Sequence, residues 1–494
     1  MSISTTVDAG YPDSFGITPE LWLQTPPAMR ALILTLIQEN TQLKSRVTQL
    51  ENRITQLETQ LGKNSRNSSK SPSSDAPNVP RPAILPSGKK QGGQPGHLGK
   101  NRSLLPIEQV DKIVKHFPTA CEYCASQQLE EIVLSNPLRQ QVSELPRVRV
   151  IVTEHQAHRG KCLDCGKLSL AVLPADVESS AFGPHVQAEV ALLSGRYRLS
   201  RREAVDYAAQ AWGLDISLGS VSNIESNVSE TLAQSYQEVL ESVQSAPIRN
   251  VDETGWREKN RLAWIWSAST PQASVFHINR HRSREAFVTW IGLETLKHGI
   301  WIVDRFKVYE VIDQDRVALC HAHIRRDIVA LSEAKGAAGK YGAELLKCHQ
   351  AIFACIAESR KAGWSFEDFR AQLRSAYQAF EQAVNQGFES RTTLAKKLCK
   401  GLRRRWRSLW TFARVEGVEP TNNAAERSVR KGVLWRKSSL GSQSERGSRY
   451  AERMLTVAQT CQKQGRRLLD FMGETLQACL KGTAMPSIFT PATE

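Results

Sequence analysis

The sequence predicts a multidomain α/β protein that opens with a long coiled-coil helix. Three observations carry that expectation: a heptad repeat near the start, two CxxC pairs further on, and a run of strand-like segments that gives way to helices. The 494 residues suffice for roughly two to four domains, and an apolar fraction of 40% is adequate for hydrophobic cores.

Residues 29–62 hold the heptads. Leu36, Leu43, Leu50 and Leu57 are spaced by seven, and Asn40, Val47, Ile54 and Leu61 follow each by four. These are a d and an a series, and a lone Asn at a favours a two-stranded, parallel, in-register pairing. Thr, Gln, Glu, Asn and Arg fill the rest, which a helix packed on the protein's own core does not explain. The pattern predicts a homodimer or a higher assembly. Residues 1–28 form a short segment ahead of it. Residues 63–103 read as a basic linker rich in Ser, Pro and Gly, with little to bury.

Residues 104–175 read as short strands around Cys121, Cys124, Cys162 and Cys165. Neither an apolar run of about 18 residues nor a secretory leader is visible, so a reduced, cytosolic chain without a membrane span is expected. There, two CxxC pairs point to a structural zinc site with four thiolate ligands, His155 or His158 being candidates to replace one of them. The other six cysteines read as small buried hydrophobes.

Residues 180–245 turn helical. Ser200 and Glu203 fit a capping box, the helix they open stops at Gly213, and a second starts at Ser217 or Ser220. Helix, turn, helix is compatible with DNA binding, although many helical hairpins look the same.

From residue 247 the period changes again. APIRNVDETGW, RLAWIWSAS and ASVFHINR read as strands, REAFVTWIG as a helix, and HGIWIVDRF and VALCHA as further strands. Helices follow. This order is that of a ribonuclease-H-like core, here over 246–445 with a helical insertion at about 325–415, and a C-terminal helical segment at 446–494. Asp252 and Asp304 each end an apolar strand, and Glu426 sits on a helix opened by Asn422 or Asn423. A carboxylate at the end of a buried strand calls for solvent, a partner or a metal ion. Three of them together would suit two divalent ions. Spacing alone does not single them out among 50 acidic residues. Glu253 points to the opposite side of the strand and is not assigned to metal.

Lys and Arg outnumber Asp and Glu, 65 to 50, for a net charge of +15, which favours a polyanionic partner. Arg427, Arg430, Lys431, Arg436 and Lys437 cluster behind Glu426 and suit phosphates; the alternative is a solvated basic face. His323, Arg325 and Arg326 lie in CHAHIRRD, where His323 could orient a phosphate or serve only structure. In GLRRRWRSLW, Arg403, Arg404, Arg405 and Arg407 interleave with Trp406 and Trp410. That composition suits an unstacked base or plain amphipathic packing equally well.

The ordered set of motifs resembles the transposases of the insertion sequence 66 family. GKNSRNSSKSPSSD, QGGQPGHLGK, the CxxC pairs, RYRLSRREA with ISLGSVSN, VDETGW, DRFKVY, CHAHIRRD, NNAAERSVR and RKSSLGSQSERGS follow in that family's order. Arg305 and Phe306 stand where many relatives show Gly and Tyr, and the family's C-terminal extension looks short. The resemblance implies a DDE enzyme with Asp252, Asp304 and Glu426 as its catalytic carboxylates and two Mg2+ (or Mn2+) ions. It implies cleavage of element ends and joining of the 3′-hydroxyl to target DNA. The expected partners are double-stranded DNA and two small accessory proteins of the same element, in a bacterial cytosol close to the nucleoid. The competing readings are a domesticated DNA-binding protein without catalysis and a metal-dependent nuclease of the same fold.

Overall fold

The computed structural model describes residues 18–61, 103–146, 148–174, 176–177 and 180–489. The Gly/Gln-rich basic stretch of the predicted linker lies outside them. In chain order, α1 (Pro19–Gln24) and α2 (Pro27–Leu61) precede the CxxC region, whose strands are β1 (Arg159–Lys161) and β2 (Leu168–Leu170). Next come α3 (Pro184–Ala191), α4 (Arg201–Trp212), α5 (Leu218–Thr231) and α6 (Ala233–Ser245). They lead into β3 (Ile248–Glu258), β4 (Arg261–Ser269), β5 (Ser274–Asn279) and α7 (Arg284–Ile291). Then follow β6 (Ile300–Val303), β7 (Val317–Leu319), α8 (His321–Ser332), α9 (Ala337–Ala362) and α10 (Phe366–Glu389). The chain ends with α11 (Thr393–Arg404), α12 (Trp406–Leu409), α13 (Thr411–Arg414), α14 (Asn423–Ser439), α15 (Glu445–Gln464) and α16 (Leu468–Lys481). The protein is thus a helix-rich mixed α/β molecule. Its contacts divide it into two compact units, one of Met1–Val79 with Ile300–Asn422 and one of Pro80–Gly299 with Asn423–Glu494.

The larger unit contains the antiparallel meander β5-β4-β3. β3 and β4 form a long hairpin from Asn250↔Ser269 to Glu258↔Arg261. Its two-residue turn, Lys259-Asn260, has φ of 50° and 60°, the left-handed pair that matches strand twist. Neither residue is glycine, so the turn carries no NG or DG signal, and Asp252 reads as a strand end in the sequence. The structure corrects this: β3 runs on to Glu258, and Asp252 lies inside it.

The outer edge of β5 is closed by side chains of α15. Ser274 N–H donates to Thr460 Oγ1 at 3.3 Å, Phe276 N–H to Thr456 Oγ1 at 3.0 Å, and Ile278 N–H to Glu452. Acceptors four residues apart on the helix (about 6 Å) face amides two residues apart on the strand (about 6.8 Å), so the two repeats nearly match. An edge that would otherwise template another strand is satisfied.

At the start of the sheet, Arg249 is 1% exposed and donates to the carbonyls of Val243 (2.8 Å), Gln244 (2.7 Å) and His298 (2.8 Å). It caps the last turn of α6 and fixes the junction into β3. The expected capping box of α4 is present: Glu203 N–H donates to Ser200 Oγ at 3.2 Å, and Ser200 N–H to the Glu203 carboxylate at 2.7 Å. Gly213 ends that helix at φ 64°. The next helix is capped by Ser217.

The expectation of a strand-rich module over 104–175 fails in part. Among the described residues it holds only the short hairpin β1–β2 and one 3-10 turn, Ile107–Gln109. The alternating stretch around Val148 forms no strand, and Val148, Ile151 and Val152 are exposed. Alternation makes a strand only where a neighbouring strand and a surface to cover exist.

In the other unit β6 and β7 pair in parallel, Trp301↔Val317 to Val303↔Leu319. Helices α8 to α13 follow β7 and bury Leu345, Ile352, Phe380 and Leu402. Two buried histidines lie among them. His321 Nε2 is 2.8 Å from the Leu409 carbonyl and must donate to it. Its Nδ1 therefore accepts from His349 Nε2, 3.3 Å away. Burial pushes the two pKa values down to about 4 and about 3, so both rings are neutral.

In α2, Leu36, Leu43, Val47 and Leu50 are all more than half exposed, so a single chain leaves these heptad positions uncovered. No helix among the described residues is long and apolar enough to cross a membrane.

Candidate active site

Register places Asp252 on a defined face of the meander. Asp252 pairs with Ser267 and Thr254 with Ile265, so the four side chains share one face, which Asn250 and Ser269 extend. Helix α14 covers it. A Cβ on Gly432 would lie 2.9 Å from Ile265 Cδ1, so any other residue here would have to displace Ile265 or the helix. One turn earlier, Ser428 Oγ meets Ser274 Oγ at 3.0 Å and Ser269 Oγ at 3.3 Å. One turn later, Arg436 donates to the Gly255 carbonyl. Glu426 sits in the first turn of this helix and is half-buried, as is Asp252. On the opposite face Glu253 is buried and ion-paired with Arg282, whose guanidinium also lies 4.5 Å above Trp264. This is the separation that strand alternation predicts for the two neighbouring acids.

The predicted cations behind Glu426 divide. Arg427, Arg430 and Lys437 are exposed, whereas Arg436 is half-buried and braces β3. Burial lowers the Lys431 pKa, and the positive charges of Arg196, Arg198 and Arg430 lower it further. Cations that perturb one another in this way form a patch suited to an anion. Arg196 and Arg198 were not singled out in the sequence, although RYRLSRREA carries them. Lys463 carries no motif in the sequence. It holds the β4–β5 turn through Ser269 Oγ (2.7 Å) and the Thr270 and Ala273 carbonyls, and burial, with help from Arg427, pushes its pKa down to about 8.

In the other unit Asp304 follows β6 directly and is half-buried, its Oδ1 accepting the Phe306 N–H at 2.8 Å. Cys320 precedes helix α8; its N–H donates to the Val303 carbonyl at 2.9 Å and its sulfur accepts the Asn422 N–H at 3.1 Å. Along it, Arg326 Nη1 donates to His323 Nε2 at 3.2 Å, and Arg325 is exposed. Asp327, one turn beyond His323, pairs with Arg305. Burial raises the pKa of Asp327 against the opposing charges of Arg305, His323 and Arg326, and Asp304 adds to the rise. An acid that senses Asp304 belongs to this neighbourhood. CHAHIRRD ends on it, but acids are too common for that position alone to mark it.

The arginine run at 403–405 is largely spoken for. Arg404 and Arg405 both hold the Glu310 carboxylate, and Arg403 lies 4.3 Å above Phe388. Burial raises the Glu310 pKa, but the arginines outweigh it and leave the carboxyl below its usual range. Trp406 stacks on Phe380 and donates to Tyr377 Oη at 2.8 Å. Trp410 is buried.

Each CxxC pair forms the same turn. Cys121 N–H donates to the Ser126 carbonyl (2.9 Å) and Ala125 N–H to the Cys121 carbonyl (2.9 Å); Cys162 with Lys167 (2.8 Å) and Gly166 with Cys162 (2.9 Å) repeat it. Backbone amides lower the thiol pKa of Cys121 and of Cys162, as metal ligation requires. Pair by pair the residues fit a soft metal, but among the described residues the four thiols do not meet as one group. His155 and His158 are exposed.

The sequence matches the Transposase IS66 family over residues 179–450. The chain belongs to that family. The match begins just before α3 and ends within α15, so all three carboxylates of the IS66-family chain fall inside it and the cysteine pairs outside. A separate family of unknown function matches residues 21–103. Two relatives from Sinorhizobium fredii (strain NBRC 101917 / NGR234) are similar over most of their length. Uncharacterized protein y4hP is 24% identical over 71% of this chain and 69% of its own, and uncharacterized protein y4qI is 23% identical over 76% and 73%. Membership of the family implies transposase activity, and with it DNA binding.

Proposed function

We propose that this IS66-family chain is a DDE transposase that cuts the ends of its element and joins the freed 3′-hydroxyl to target DNA, using Asp252, Asp304 and Glu426. The observation that carries the proposal is α14. It lies on the face of the meander that bears Asp252, and its first turn bears Glu426. Asp304, in the other unit, enters by its place after β6. The order of elements, an antiparallel meander, a helix and then a parallel strand pair, supports a ribonuclease-H-like core.

Two divalent ions on these carboxylates would activate the attacking oxygen and stabilise the leaving one. The side chains do the remaining work. Arg427, Arg430 and Lys431, with Arg196 and Arg198, bind phosphates beside the scissile bond and offset charge that grows in the transition state. Glu253, committed to Arg282, takes no part. A structural zinc that draws the two cysteine pairs together, and dimerisation through the α2 stripe, complete the reading.

The test is strand cleavage and strand transfer on the element's own terminal repeats with Mg2+ or Mn2+. Asp252→Asn, Asp304→Asn and Glu426→Gln should each abolish both steps and leave DNA binding intact. Wild-type strand transfer by any one of them removes that residue from the assignment. Cleavage without joining in the unaltered protein would instead make it a nuclease.

A further inference from the structure

A cavity of about 650 Å³ opens within the helical insertion, between α10 on one wall and α12 and α13 on the other. Its two walls are chemically distinct. Arg370, Arg374 and Tyr377 stand at positions i, i+4 and i+7, one stripe of α10. Arg407 and Arg414 face them, and Trp406 forms the floor beside Tyr377, ring centroids 5.7 Å apart. The floor is rigid: Trp406 donates to Tyr377 Oη and stacks at 12° on Phe380. Arg414 is pre-oriented by the Arg407 carbonyl (3.0 Å) and Thr411 Oγ1 (3.1 Å).

Charge in the cavity is poorly balanced. Four arginines line it against a single acid, Glu367, and only Arg407 is drawn to another carboxylate, Asp315 at 3.0 Å. Arg370 and Arg374 are exposed and, among the described residues, neither has a carboxylate partner. The neighbouring cavity is the contrast: there Arg404 and Arg405 are both spent on Glu310.

We infer that this cavity receives one unstacked nucleotide of a DNA strand, its base against Tyr377 and Trp406 and its phosphates between Arg370, Arg374 and Arg414. Aromatic faces beside guanidinium groups form a stacking platform with an electrostatic rim, which suits every base because each has a π-face. The volume lies within the range of small-ligand sites, roughly 300–1,000 Å³, and admits a nucleotide but no duplex. An acidic peptide would satisfy the arginines and leave the aromatic floor unused. The inference deepens the transposase reading, because cutting and joining expose unpaired ends that must be held, and it rests on that reading for its purpose.

The test measures binding alone, with the full chain and no added Mg2+ or Mn2+, so its outcome is independent of the carboxylates. A labelled single-stranded thymidine oligonucleotide and a duplex are titrated over a range of salt. Arg370→Ala with Arg374→Ala should weaken single-strand binding about tenfold or more and flatten its salt dependence by about one to two phosphate equivalents, while duplex binding changes little. Tyr377→Leu should weaken single-strand binding by about fivefold or more with the salt slope unchanged. A strand carrying 5-iododeoxyuridine should crosslink on irradiation to Tyr377 or Trp406. Circular dichroism checks the fold of Tyr377→Leu, and the exposed arginines give a second variant that leaves the core intact. Single-strand binding unchanged in the double arginine variant would overturn the inference, as would crosslinks confined to other residues. So would poly-glutamate competing as well as the oligonucleotide at equal charge. Inactive carboxylate variants that still crosslink at Tyr377 would support both readings, and active ones would sink only the catalytic assignment.

Discussion

Replacing Arg249 by Met should destabilise the larger unit by about 2–6 kcal/mol. The guanidinium gives hydrogen bonds to three carbonyls at the end of α6 and before β6, and a bond from a charged donor contributes roughly 1.5–3 kcal/mol net. Three such bonds sum to about 5–9 kcal/mol. Against this stands the cost of burying the charge. Burial lowers its pKa from 12.5 to about 10, so it stays charged at neutral pH, and the shift corresponds to about 3 kcal/mol that the substitution returns. Methionine keeps most of the apolar stem, so packing loss is small beside these terms. Total stabilities of domains run to about 5–15 kcal/mol, so the effect is large. Urea unfolding of wild type and variant at neutral pH reads it as a shift in midpoint with unchanged slope. Arg249→Lys, which can reach fewer of the carbonyls, should fall between them. A loss below about 1 kcal/mol would show that the three carbonyls find other donors and that the α6–β3 junction is not held this way. Asp252 lies three residues further on, so a folded Arg249→Met protein should also lose strand transfer.

Thr456→Val should cost about 1–3 kcal/mol by leaving the buried Phe276 N–H without its acceptor, measured by the same unfolding titration; Thr456→Ser should restore most of it. His321 and His349 are neutral in the fold with pKa values below the unfolded 6.5. Their contribution is therefore fully present above pH 6.5 and lost as pH falls toward about 4 and then about 3. At pH 5 this amounts to roughly 2 kcal/mol for each ring, and His321→Phe with His349→Phe should flatten the acid limb of stability against pH. Lys463 has a folded pKa of about 8 against 10.5 unfolded, so between these values the unfolded chain binds the extra proton and unfolding free energy rises with pH relative to Lys463→Met; a flat difference would refute it. Purified protein should carry one zinc per chain by elemental analysis, and Cys121→Ser with Cys162→Ser should lose it.

The parts of this chain that were legible in sequence are those whose signals are local. Ser200 and Glu203 announce a helix start because both partners lie within four residues, and the two CxxC turns are equally self-contained. The strands of the meander were legible because each is a run of apolar and β-branched residues buried on folding. What failed did so for want of a partner that sequence does not name. The Val148 stretch alternates as a strand should but, among the described residues, pairs with no neighbour. β3 outlasts Asp252 because Glu253 to Glu258 find β4 across a turn with no glycine.

The same division runs through the candidate site. Arg403, Arg404 and Arg405 stood out by density, yet density measures how many charges are present and not how many are free. Glu310, about ninety residues away, consumes two of them. Arg370 and Arg374 drew no attention as two arginines among many, and acquire meaning only when α10 sets them in one stripe with Tyr377 opposite Arg414. Glu426 lies between these cases. Its helix could be read from the sequence, but the fact that gives it weight is that Gly432 allows α14 to settle against Ile265 on the face that carries Asp252. Gly432→Ala therefore tests the site through its scaffold. The added methyl would meet Ile265 at 2.9 Å and push α14 outward, so strand transfer should fall while the carboxylates themselves are untouched. Pairing it with Ile265→Val, which removes the offending Cδ1, should recover activity. Failure of that rescue would mean that the face shared by α14 and Asp252 does not govern the chemistry.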